Sequence, residues 1–397
     1  MAKLSIKDLD LKGKTVVMRV DFNVPLKNGV IGDDNRIRQA LPSIKHVIES
    51  GARLVLLSHL GRPKGEPKPE FSLKPVAEHL KTLVSCNVFF GEDCIGEKAR
   101  EAIQKAAPGE IVLLENVRFH PEETKNDPEF SKKLAENGDV FVNDAFGSSH
   151  RAHSSVAGIT EHLQPAASGY LLTKEIDYLK ESVENPKRPF VAVLGGAKVS
   201  DKIGVIENLI SRVDTIIIGG GMTYTFFKAM GFPIGNSLLE EDKVELAKNL
   251  IEKARANNVE IMLPVDSVIG KEFKDDTETK VVSQDGILDG WMALDIGPKS
   301  AQLFGDEIKK AKTVIWNGPM GVFEMDAFAK GTFAVAGAMS TATEHGAVTI
   351  IGGGDSAAAI KKAGLEDNVS HVSTGGGASL EYLEGKVLPG IESLTDK

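Results

Sequence analysis

The sequence has little of several residues and patterns that mark particular protein classes. Its 397 residues include only two cysteines, Cys86 and Cys94, which are too few for a disulfide framework and lack the spacing of zinc ligands. No apolar run reaches the roughly 18 residues of a membrane span. The first residues, Met1–Asp8, carry charges where a signal peptide needs an apolar stretch. We therefore expect a cytoplasmic protein with no membrane partner.

Positive charge is also scarce. Lys and Arg number 47 against 56 Asp and Glu, which gives a net charge of −9 at pH 7. A nucleic-acid-binding protein usually carries an overall basic footprint, so we expect no nucleic-acid partner. Arginines and histidines that gather locally in an acidic protein would instead indicate a small anionic ligand.

Glycine is the residue in excess, with 40 copies among 397 residues, about 10% against an average near 7%. The hydrophobic fraction of 42% and the charged fraction of 26% are those of an ordinary globular protein. Because one hydrophobic core rarely grows past about 300 residues, the length predicts at least two domains.

Short apolar runs alternate with longer amphipathic segments along the whole chain. The runs are rich in β-branched side chains, which is typical of strands buried on both faces of a parallel sheet. Segments 170–184, 242–257 and 327–344 have helical length and periodicity, and strands that alternate with helices predict an α/β fold. The predicted strands are Thr15–Val20, Arg53–Leu57, Ile111–Leu114, Val140–Val142, Phe190–Leu194, Thr215–Ile218, Glu260–Leu263, Thr313–Trp316, Val348–Ile351 and Val369–Val372.

The chain divides into two α/β lobes, each predicted to be a doubly wound (Rossmann-like) parallel-sheet domain. We expect the boundary near residues 170–189, where one long charged helix is followed by the proline-containing stretch Asn185–Pro189, since proline after a helix fits a stop and a stiff connector. The predicted organisation is an N-terminal domain over 1–172, a helical hinge and linker over 173–188 and a C-terminal domain over 189–379.

The strand ends of the first half are polar and rich in arginine and histidine. In open α/β sheets ligands bind beyond the carboxyl ends of the strands, and arginine suits bidentate contact with phosphate and carboxylate. Any one of these arginines taken alone is most simply an ordinary surface residue. Four strand ends with the same chemistry instead predict one basic pocket, formed by Arg36, His59, Arg62, Arg118 and Arg151.

The strand ends of the second half are glycine clusters. Glycine lets the backbone approach a ligand closely, and a glycine turn that leads into a helix presents free N–H groups to an anion. A single turn of this kind is more simply a tight strand–helix connection, but five of them on one sheet edge predict a polyphosphate or nucleotide site. The clusters are Gly195–Lys198, Gly219–Met222, Asn317–Gly321, Gly352–Ser356 and Thr374–Ser379.

Four charged residues accompany these turns. Lys198 and Lys202 lie four residues apart, which is one face of a helix, so both are candidates for phosphate contact. Asp355 follows three glycines and is either a Mg²⁺ ligand beside nucleotide phosphates or a helix N-cap. Glu324 follows another glycine turn and is a candidate acceptor for ribose hydroxyls.

The sequence lacks the motifs of several other enzyme classes. It has no Gly-x-x-x-x-Gly-Lys-Ser/Thr P-loop and no Gly-x-Ser-x-Gly nucleophile elbow. Gly352-x-Gly354-x-x-Ala357 matches the dinucleotide fingerprint, but the next strand ends at Val372–Gly375 without the carboxylate that would bind a ribose. A NAD-dependent dehydrogenase therefore stays an alternative that lacks its main support.

The two kinds of strand end together favour phosphoryl transfer. One lobe offers an Arg/His pocket for a small anion and the other offers glycine turns for a nucleotide, and positioning and charge neutralisation make up most of phosphoryl-transfer chemistry. Such transfer needs a dry, closed site, which two lobes that hinge together provide.

Nine motifs, in order along nearly the whole chain, resemble those of the phosphoglycerate kinase family. They are Arg19–Pro25, Ser58–Pro63, Glu115–Phe119, Asn143–Gly147, Arg151–His153, Gly195–Lys202, Trp316–Gly321, Gly352–Asp355 and Ser373–Ser379. The resemblance implies reversible transfer of the acyl phosphate of 1,3-bisphosphoglycerate to MgADP, which gives 3-phosphoglycerate and MgATP in glycolysis. No general base is needed, because the acceptor in the reverse direction is already a carboxylate.

The resemblance also implies roles for individual residues. The phosphoglycerate site would comprise Asp21, Phe22, Asn23, Arg36, His59, Leu60, Gly61, Arg62, Arg118 and Arg151. The nucleotide site would comprise Gly195, Lys198, Lys202, Ala293, Asn317, Glu324, Gly353, Gly354, Asp355 and Ser356, with Asp355 serving Mg²⁺ and Glu324 the ribose. The transferring phosphoryl group would be neutralised by Arg36, Lys198 and the backbone N–H groups of Gly354, Gly376 and Gly377.

Two positions depart from the family pattern. Ser356 stands where threonine is usual, and it keeps the hydroxyl that a metal or phosphate would contact. Ala293 stands where the family often has glycine, and its methyl group is expected to alter the fit of the adenine. An inactive nucleotide-binding or scaffold protein is a further alternative, although such a protein would be expected to have lost Lys198, Arg36 or Asp355. The resemblance implies a monomer whose C-terminal tail, from about residue 380 to 397, packs on the N-terminal domain.

Overall fold

The structure, a computed structural model, describes residues 2–397. They form two compact units: the first runs to Ile176 and includes the C-terminal segment Val387–Lys397, and the second is Asp177–Lys386. The second unit thus begins inside the helix expected to join the domains, and the C-terminal segment of the first unit begins later than residue 380. It begins later because Leu383 is still held in the second unit, where its carbonyl accepts a hydrogen bond from Asn208 Nδ2 at 2.8 Å.

The first unit alternates strands and helices as predicted. Its strands are β1 (Thr15–Arg19), β2 (Leu26–Lys27), β3 (Val30–Ile31), β4 (Arg53–Leu57), β5 (Val88–Gly91), β6 (Ile111–Leu114), β7 (Val140–Asn143) and β8 (Ala166–Ser168). Its helices are α1 (Asn35–Glu49), α2 (Lys74–Leu80), α3 (Gly96–Lys105), α4 (Pro128–Ala135) and α5 (Tyr170–Glu184), the last of which continues into the second unit.

Six of these strands form one parallel sheet in the order β5-β6-β4-β1-β7-β8, while β2 and β3 form a small hairpin. The central strands are buried along almost their whole length, which explains their continuous apolar runs. The chain builds outward from β1 in both directions, with β4 on one side and β7 on the other. The sheet therefore opens a crevice beyond the carboxyl end of β1, where ligands bind in folds of this kind.

The second unit contains the remaining strands and most of the remaining helices. The strands are β9 (Phe190–Leu194), β10 (Thr215–Ile218), β11 (Glu260–Met262), β12 (Asp266–Gly270), β13 (Thr279–Ser283), β14 (Met292–Ile296), β15 (Thr313–Asn317), β16 (Val348–Gly352) and β17 (His371–Val372). The helices are α6 (Ile203–Leu209), α7 (Thr223–Ala229), α8 (Val244–Ala256), α9 (Pro298–Lys310), α10 (Lys330–Glu344), α11 (Gly354–Lys362) and α12 (Gly377–Leu383), and α13 (Pro389–Glu392) follows in the C-terminal segment of the first unit.

Its main sheet is also parallel, in the order β11-β10-β9-β15-β16-β17. The chain order reverses between β9 and β15, which is the doubly wound arrangement. A separate antiparallel sheet, β13-β12-β14, is inserted between β11 and α9. Short 3₁₀ helices lie at Ile6–Asp8, Pro69–Phe71, Val117–Phe119, Glu123–Lys125, Phe146–Ser148, Gly158–Glu161, Glu241–Lys243, Asp326–Phe328 and Glu366–Asn368.

The predicted fold class, α/β with two parallel-sheet domains, is confirmed, and each predicted apolar run contains a strand. The apolar runs did not predict the edge strands β5 and β8, the small hairpin β2-β3 or the whole antiparallel sheet. β8 consists of two alanines and a serine, which carry little β-propensity. β13 is largely exposed and therefore shows no apolar run. None of the described helices is long and apolar enough to cross a membrane.

Helix boundaries follow ordinary capping chemistry. Asp127 caps α4 by accepting a hydrogen bond from the Phe130 N–H at 2.9 Å, and Pro128 fills the first helical position. Pro298 occupies the same position in α9. The helices turn apolar faces toward the sheets, so each unit has its own buried core.

The C-terminal segment depends on a glycine that is packed too closely for any side chain. Gly390 in α13 is buried, and a Cβ there would lie 2.5 Å from Val156 Cγ1 and 2.9 Å from Ser149 Cα. We predict that Gly390→Ala destabilises the first unit by about 1–3 kcal/mol because of overpacking. Urea unfolding of the wild type and the variant, monitored by amide hydrogen exchange of residues in the first unit, measures the change in the free energy of unfolding.

Gly337→Ala is the matched control for this prediction. Gly337 lies inside α10, and a Cβ there meets no atom within 4 Å. Because alanine is the better helix former, we expect Gly337→Ala to be neutral or stabilising by about 0.5–1 kcal/mol. A Gly390→Ala protein as stable as the wild type would contradict the packing described for α13.

Candidate active site

The site of the first unit begins at the crevice beyond β1. Asp21 and Asn23 follow β1, Gly61 follows β4, and Arg36 lies in the first turn of α1. The Arg36 guanidinium pairs with the Asp21 carboxylate at 2.8 Å. The Gly61 N–H donates a hydrogen bond to Asn23 Oδ1 at 2.8 Å. Side chains from neighbouring strand ends are thus joined at one place, as the parallel sheet requires.

Arg118 extends this cluster from the 3₁₀ helix after β6. Its guanidinium donates to the Gly61 carbonyl at 2.9 Å, and its buried Nε has no hydrogen-bond partner among the described residues. Burial, together with the charges of Arg19 and Arg62, lowers the pKa of Arg118 to about 10 against the opposing effect of Glu123 and Asp21. The group stays protonated at neutral pH, with a donor free for an anionic ligand.

His59 follows β4 and is buried next to Arg19, a residue inside β1. The Arg19 guanidinium donates to the Val20 carbonyl, to Ser155 Oγ at 2.8 Å and to His59 Nδ1 at 3.0 Å. Burial lowers the pKa of His59 well below its usual value, and the positive charges of Arg19 and Arg118 act in the same direction. The imidazole is therefore neutral at neutral pH.

Asp21 supplies negative charge within this positive cluster. Burial acts to raise the pKa of its carboxyl, but His59, Arg36 and Arg19 together outweigh burial and hold the pKa below its usual value. Arg36 and Arg19 are charged throughout the physiological range. The Asp21 carboxylate is therefore ionised and partly offsets the repulsion between the arginines.

Arg151 lies at the edge of the same cluster. Its side chain is exposed, and its Nε contacts His150 Nε2 at 3.0 Å. Burial is the largest cause that lowers the pKa of His153 to about 4, and the charges of Arg118, Arg19 and Arg151 contribute to the same shift. Because the charges of Arg118 and Arg151 both act on His153, these two predicted residues lie in the same region of the first unit.

Two predicted substrate residues have side chains that belong to the core. Phe22 is 0% exposed and Leu60 is 3% exposed. The Phe22 N–H donates to Ser58 Oγ at 2.9 Å, and the Leu60 carbonyl accepts from Asn116 Nδ2 at 2.7 Å. These contacts fix the backbone conformation of the loops after β1 and β4. Phe22 and Leu60 therefore contribute backbone atoms to the site, while their side chains pack in the core.

The site of the second unit lies where the chain order reverses, between β9 and β15. The Gly195 N–H donates to the Asn317 carbonyl at 3.0 Å. Gly318 has a φ of +102°, and a Cβ there would lie 2.1 Å from the Gly195 carbonyl oxygen. Two glycine turns thus pack backbone against backbone, an approach that only glycine permits.

Asn317 carries an unpaired donor among these turns. The Lys202 Nζ donates to Asn317 Oδ1, which directs the amide nitrogen elsewhere, and this buried Nδ2 has no partner among the described residues. Ser356 is fully buried, and its hydroxyl accepts a hydrogen bond from the Gly318 N–H at 2.5 Å. An orphaned donor beside glycine turns fits an oxygen of a bound phosphate.

Lys202 is held close to the acidic residues of the site. Burial lowers the pKa of its ammonium group, while Asp201, Asp355 and Glu384 oppose that effect. The residue is 9% exposed. A nearly buried lysine whose partner is an uncharged amide is poised to receive an anion.

Two helices begin at the glycine turns. α11 follows Gly353, which has a φ of +89°, and α12 follows Gly376, which has a φ of +52°. The first N–H groups of a helix have no partner within the helix. Gly354 and Gly377 are exposed at these starts, and so is Asp355 in the first turn of α11.

The other predicted nucleotide residues differ in how open they are. Lys198 and Glu324 are exposed in the loops after β9 and β15. Ala293 is 6% exposed in β14, and its N–H donates to Ser237 Oγ at 2.9 Å. The structure thus joins Gly195 and Lys202 to Asn317 by direct contacts, and Ser356 bonds to the adjacent Gly318. Lys198 and Glu324 are exposed and accessible to a ligand.

The comparisons with known proteins agree with this arrangement. A family model described as phosphoglycerate kinase matches residues 6–386 of the chain. The chain belongs to the phosphoglycerate kinase family. It is an enzyme that transfers phosphate, and the family implies a glycolytic kinase with small-molecule substrates and ADP or ATP as co-substrate.

Relatives match over the full chain. A phosphoglycerate kinase from Chloroherpeton thalassium is 57% identical over 396 residues and covers 100% of both chains. One from Thermosipho africanus is 57% identical over 398 residues, which is 100% of this chain and 99% of the relative. The solved phosphoglycerate kinase of Coxiella burnetii matches with a TM-score of 0.89 at 43% identity and covers 99% of this chain and 98% of that one.

The buried polar residues behind the arginines were not predicted from the sequence of this member of the phosphoglycerate kinase family. Arg19 was assigned to a strand, and Glu123 and Ser155 were not considered. The Glu123 carboxylate is 0% exposed and accepts hydrogen bonds from the N–H and Oγ of Ser155 at 2.9 and 2.6 Å. An arginine inside an otherwise apolar strand was the available signal for Arg19, whereas Glu123 and Ser155 carried no signal of their own.

A further group of potential metal ligands lies in the first unit and contains none of the residues predicted for either site. Asp93, Cys94 and His120 have ligand atoms within 4.8 Å of one another. Burial raises the pKa of the Cys94 thiol well above its usual value, and Asp93 Oδ1 already contacts His120 Nε2 at 2.7 Å. The group therefore forms a hydrogen bond between Asp93 and His120 beside a protonated thiol, and it does not present the thiolate that a metal requires.

The low pKa of His153 makes the stability of the first unit depend on pH. Below about pH 6.5 the unfolded chain protonates this histidine, while the folded state keeps it neutral down to about pH 4. The contribution of His153 to the free energy of unfolding is therefore fully present above pH 6.5 and is lost as the pH falls toward 4. We predict that the wild type loses about 2 kcal/mol relative to His153→Gln between pH 7 and pH 5.

Urea unfolding of the two proteins at both pH values measures this difference. His162→Gln, at an exposed histidine, controls for the loss of one imidazole. The difference between variant and wild type cancels the other titrating groups of the unit, including Asp144, whose pKa burial raises to about 6. Parallel pH profiles for the wild type and His153→Gln would contradict a neutral His153.

Proposed function

We propose that this enzyme transfers the acyl phosphate of 1,3-bisphosphoglycerate reversibly to MgADP, producing 3-phosphoglycerate and MgATP. The observation that carries the proposal is the pairing of chemistries within one chain. One unit contains a cluster of arginines with a buried neutral histidine. The other unit contains glycine turns with a nearly buried lysine and an amide nitrogen that has no hydrogen-bond partner. The first set suits a compact phosphorylated acid, and the second suits a nucleotide.

The arginine cluster of the first unit is the proposed phosphoglycerate site. Arg118 has an unpaired Nε, and Arg36 is anchored by Asp21 at 2.8 Å. Arginine forks match phosphate and carboxylate groups geometrically, so several of them select a ligand with both. Asn23, His59 and Gly61 complete the polar surface, and Arg62 and Arg151 add charge at its exposed edge.

The turns of the second unit form the proposed nucleotide site. Lys202 and the unpaired Asn317 Nδ2 are placed for phosphate oxygens. Glu324, exposed after β15, would accept hydrogen bonds from ribose hydroxyls. Ala293 and the turn at Gly195 would border the base, and Ser356 would hold the turn at Gly318 in place through its hydroxyl.

The chemical step requires charge stabilisation. In the reverse direction the attacking group is the carboxylate of 3-phosphoglycerate, which is already ionised at neutral pH, so no side chain has to remove a proton. Arg36 and Lys198 would neutralise charge on the transferring phosphoryl group. The N–H groups at Gly354, Gly376 and Gly377 would add fixed dipoles at helix starts.

We further propose that the two units close during turnover. Phosphoryl transfer to a nucleotide competes with transfer to water, so the reacting groups must be shielded when they meet. A hinge near α5 would bring the two bound substrates together. The enzyme is proposed to act as a cytoplasmic monomer.

The residues at the start of α11 fit a magnesium ion. Mg²⁺ prefers carboxylate oxygens together with water and substrate phosphates, and the exposed Asp355 carboxylate lies in the first turn of α11. This helix follows Gly353, where a Cβ would lie 3.3 Å from the unpaired Asn317 Nδ2. Asp355 would hold the ion, directly or through water. When bound, Mg²⁺ supplies charge neutralisation at the nucleotide phosphates.

A turnover assay tests the proposed reaction. Purified enzyme receives MgATP and 3-phosphoglycerate, and a coupled reductase consumes the acyl phosphate while NADH loss is followed. We expect turnover only when both substrates are present. Arg36→Ala and Lys198→Ala should each lower kcat by about a hundredfold or more, because each removes charge stabilisation at the reacting group.

Matched variants separate site charge from surface charge. Arg38 lies on α1 near Arg36 and is 57% exposed in its pair with Asp34, and Lys253 on α8 is 49% exposed. Arg38→Ala and Lys253→Ala should leave kcat within about twofold, since exposed pairs contribute little. Wild-type protein that binds MgATP and shows no turnover would overturn the proposed reaction.

Asp355→Asn tests the proposed magnesium ligand. Asparagine keeps the size and the helix-capping ability of aspartate while it removes the charge. We expect the Mg²⁺ concentration needed for half-maximal ADP binding to rise about tenfold, which corresponds to roughly 1.4 kcal/mol of lost ion affinity. Calorimetric titration of ADP at a series of Mg²⁺ concentrations measures this value.

Asp367→Asn is the control for the magnesium experiment. Asp367 is an exposed carboxylate in the second unit and lies in a 3₁₀ helix after α11. ADP binding by this variant should keep the Mg²⁺ dependence of the wild type. An unchanged dependence in Asp355→Asn would show that another group serves the ion.

A further inference from the structure

We propose that Glu123 and Ser155 are positioning residues that act through Arg19 on His59, fixing the imidazole as the Nε2–H tautomer for binding of the phosphorylated acid. Neither residue belongs to the arginine cluster proposed to touch that ligand. The functional part of the inference rests on the proposed function, while the tautomer itself is a property of the free enzyme.

The four residues form one chain of hydrogen bonds inside the first unit. Glu123 accepts from the N–H and the Oγ of Ser155 at 2.9 and 2.6 Å. The Ser155 Oγ in turn accepts from Arg19 Nε at 2.8 Å. Another nitrogen of the same guanidinium contacts His59 Nδ1 at 3.0 Å. A carboxylate that is 0% exposed is thereby connected to an imidazole that is 5% exposed.

The last contact decides the tautomer of His59. A guanidinium has only donors, so His59 Nδ1 must be the acceptor in this bond. Burial lowers the pKa of His59 well below its usual value, so the ring carries a single proton. That proton is on Nε2, because Nδ1 is occupied as an acceptor. The ring therefore has one N–H donor to offer an anion, and Arg19 determines which nitrogen bears it.

Arg19 needs a counter-charge to hold this place. Its side chain is 0% exposed, and a buried unpaired charge is strongly unfavourable. Burial lowers the pKa of Arg19. Two carboxylates oppose this effect, and that of Glu123 acts more strongly than that of Asp21. Glu123 thus compensates the guanidinium, and Ser155 fixes its direction by occupying Nε.

Two other charged groups lie near Glu123. His153 Nδ1 is 3.9 Å from its carboxylate, and Glu123 also raises the pKa of Arg118 against the effect of burial. These neighbours allow a simpler role in which Glu123 only reduces the positive charge of the pocket. The two roles predict opposite results when the charge is removed, so they can be told apart.

Glu123→Gln and Ser155→Ala are the test variants, and Ser154→Ala is the matched control. Ser154 is an adjacent serine that is also fully buried, but its hydroxyl donates to the carbonyls of Glu122 and Asp127, outside the chain of bonds to His59. Thermal unfolding of each variant verifies that it folds.

The first readout is the His59 tautomer in the free enzyme. Nitrogen-15 NMR of histidine-labelled protein distinguishes a protonated ring nitrogen from an unprotonated one, and His59→Gln assigns the signal. We expect the wild type and Ser154→Ala to show the Nε2–H form. Glu123→Gln and Ser155→Ala should show a mixture of tautomers or a ring that titrates at higher pH. An Nδ1–H ring in the wild type would overturn the proposal.

The second readout is the KM for 3-phosphoglycerate. The proposal expects it to rise about tenfold in Glu123→Gln and Ser155→Ala, with the KM for MgATP unchanged, and to stay within twofold in Ser154→Ala. If Glu123 acted only through its charge, the more positive pocket of Glu123→Gln would lower this KM. An unchanged or lower value in Glu123→Gln therefore overturns the positioning role.

A double-mutant cycle connects the two readouts. In a His59→Gln background, Glu123→Gln should raise the KM by less than threefold, because the residue through which it acts is gone. A full tenfold effect in that background would overturn action through His59. Absence of wild-type turnover together with an Nε2–H ring would overturn the proposed reaction and leave the assigned tautomer standing, so the two failures are distinguishable.

Discussion

The site of the first unit depends on keeping several arginines close together against their mutual repulsion. Two like charges 4 Å apart repel by about 4 kcal/mol at the effective dielectric constant typical near a protein surface. The fold answers with carboxylates placed among and behind the arginines, Asp21 against Arg36 and Glu123 behind Arg19. His59 is kept neutral by burial, so it adds a hydrogen-bond donor to the cluster without adding charge.

The proposed nucleotide site of the second unit is built in a different physical way. Glycine turns that follow β9 and β15 pack backbone against backbone, and their N–H groups bond within the turns. Two further glycine turns lead into α11 and α12, whose first N–H groups have no partner within the helix. Only one lysine, Lys202, is nearly buried among the turns, and a neutral amide is its direct partner. Charge repulsion is therefore small there, and in the proposed nucleotide site backbone dipoles would supply much of the stabilisation that arginines would supply in the first unit.

Both arrangements arise because parallel strands end at the same edge of a sheet. That rule places the polar and glycine-rich loops together, and the sequence predicted the central strands of both sheets through their apolar runs. It did not predict β8, whose Ala-Ala-Ser sequence has no strand signature, or the antiparallel sheet β13-β12-β14, whose exposed strand has no apolar run. The boundary near residue 380 followed from the family resemblance, and nothing in the sequence of α12 shows that this helix packs on α6.

The sequence by itself determined the α/β class, the family and the identity of the side chains at the strand ends, because these depend on local patterns and motifs that can be read in order along the chain. Only the tertiary structure decided which buried polar groups support those side chains. Arg19, Glu123 and Ser155 lie far apart in sequence and join through hydrogen bonds of 2.6 to 2.9 Å. Such bonds depend on the packing of distant segments, and no local pattern of residues encodes that packing.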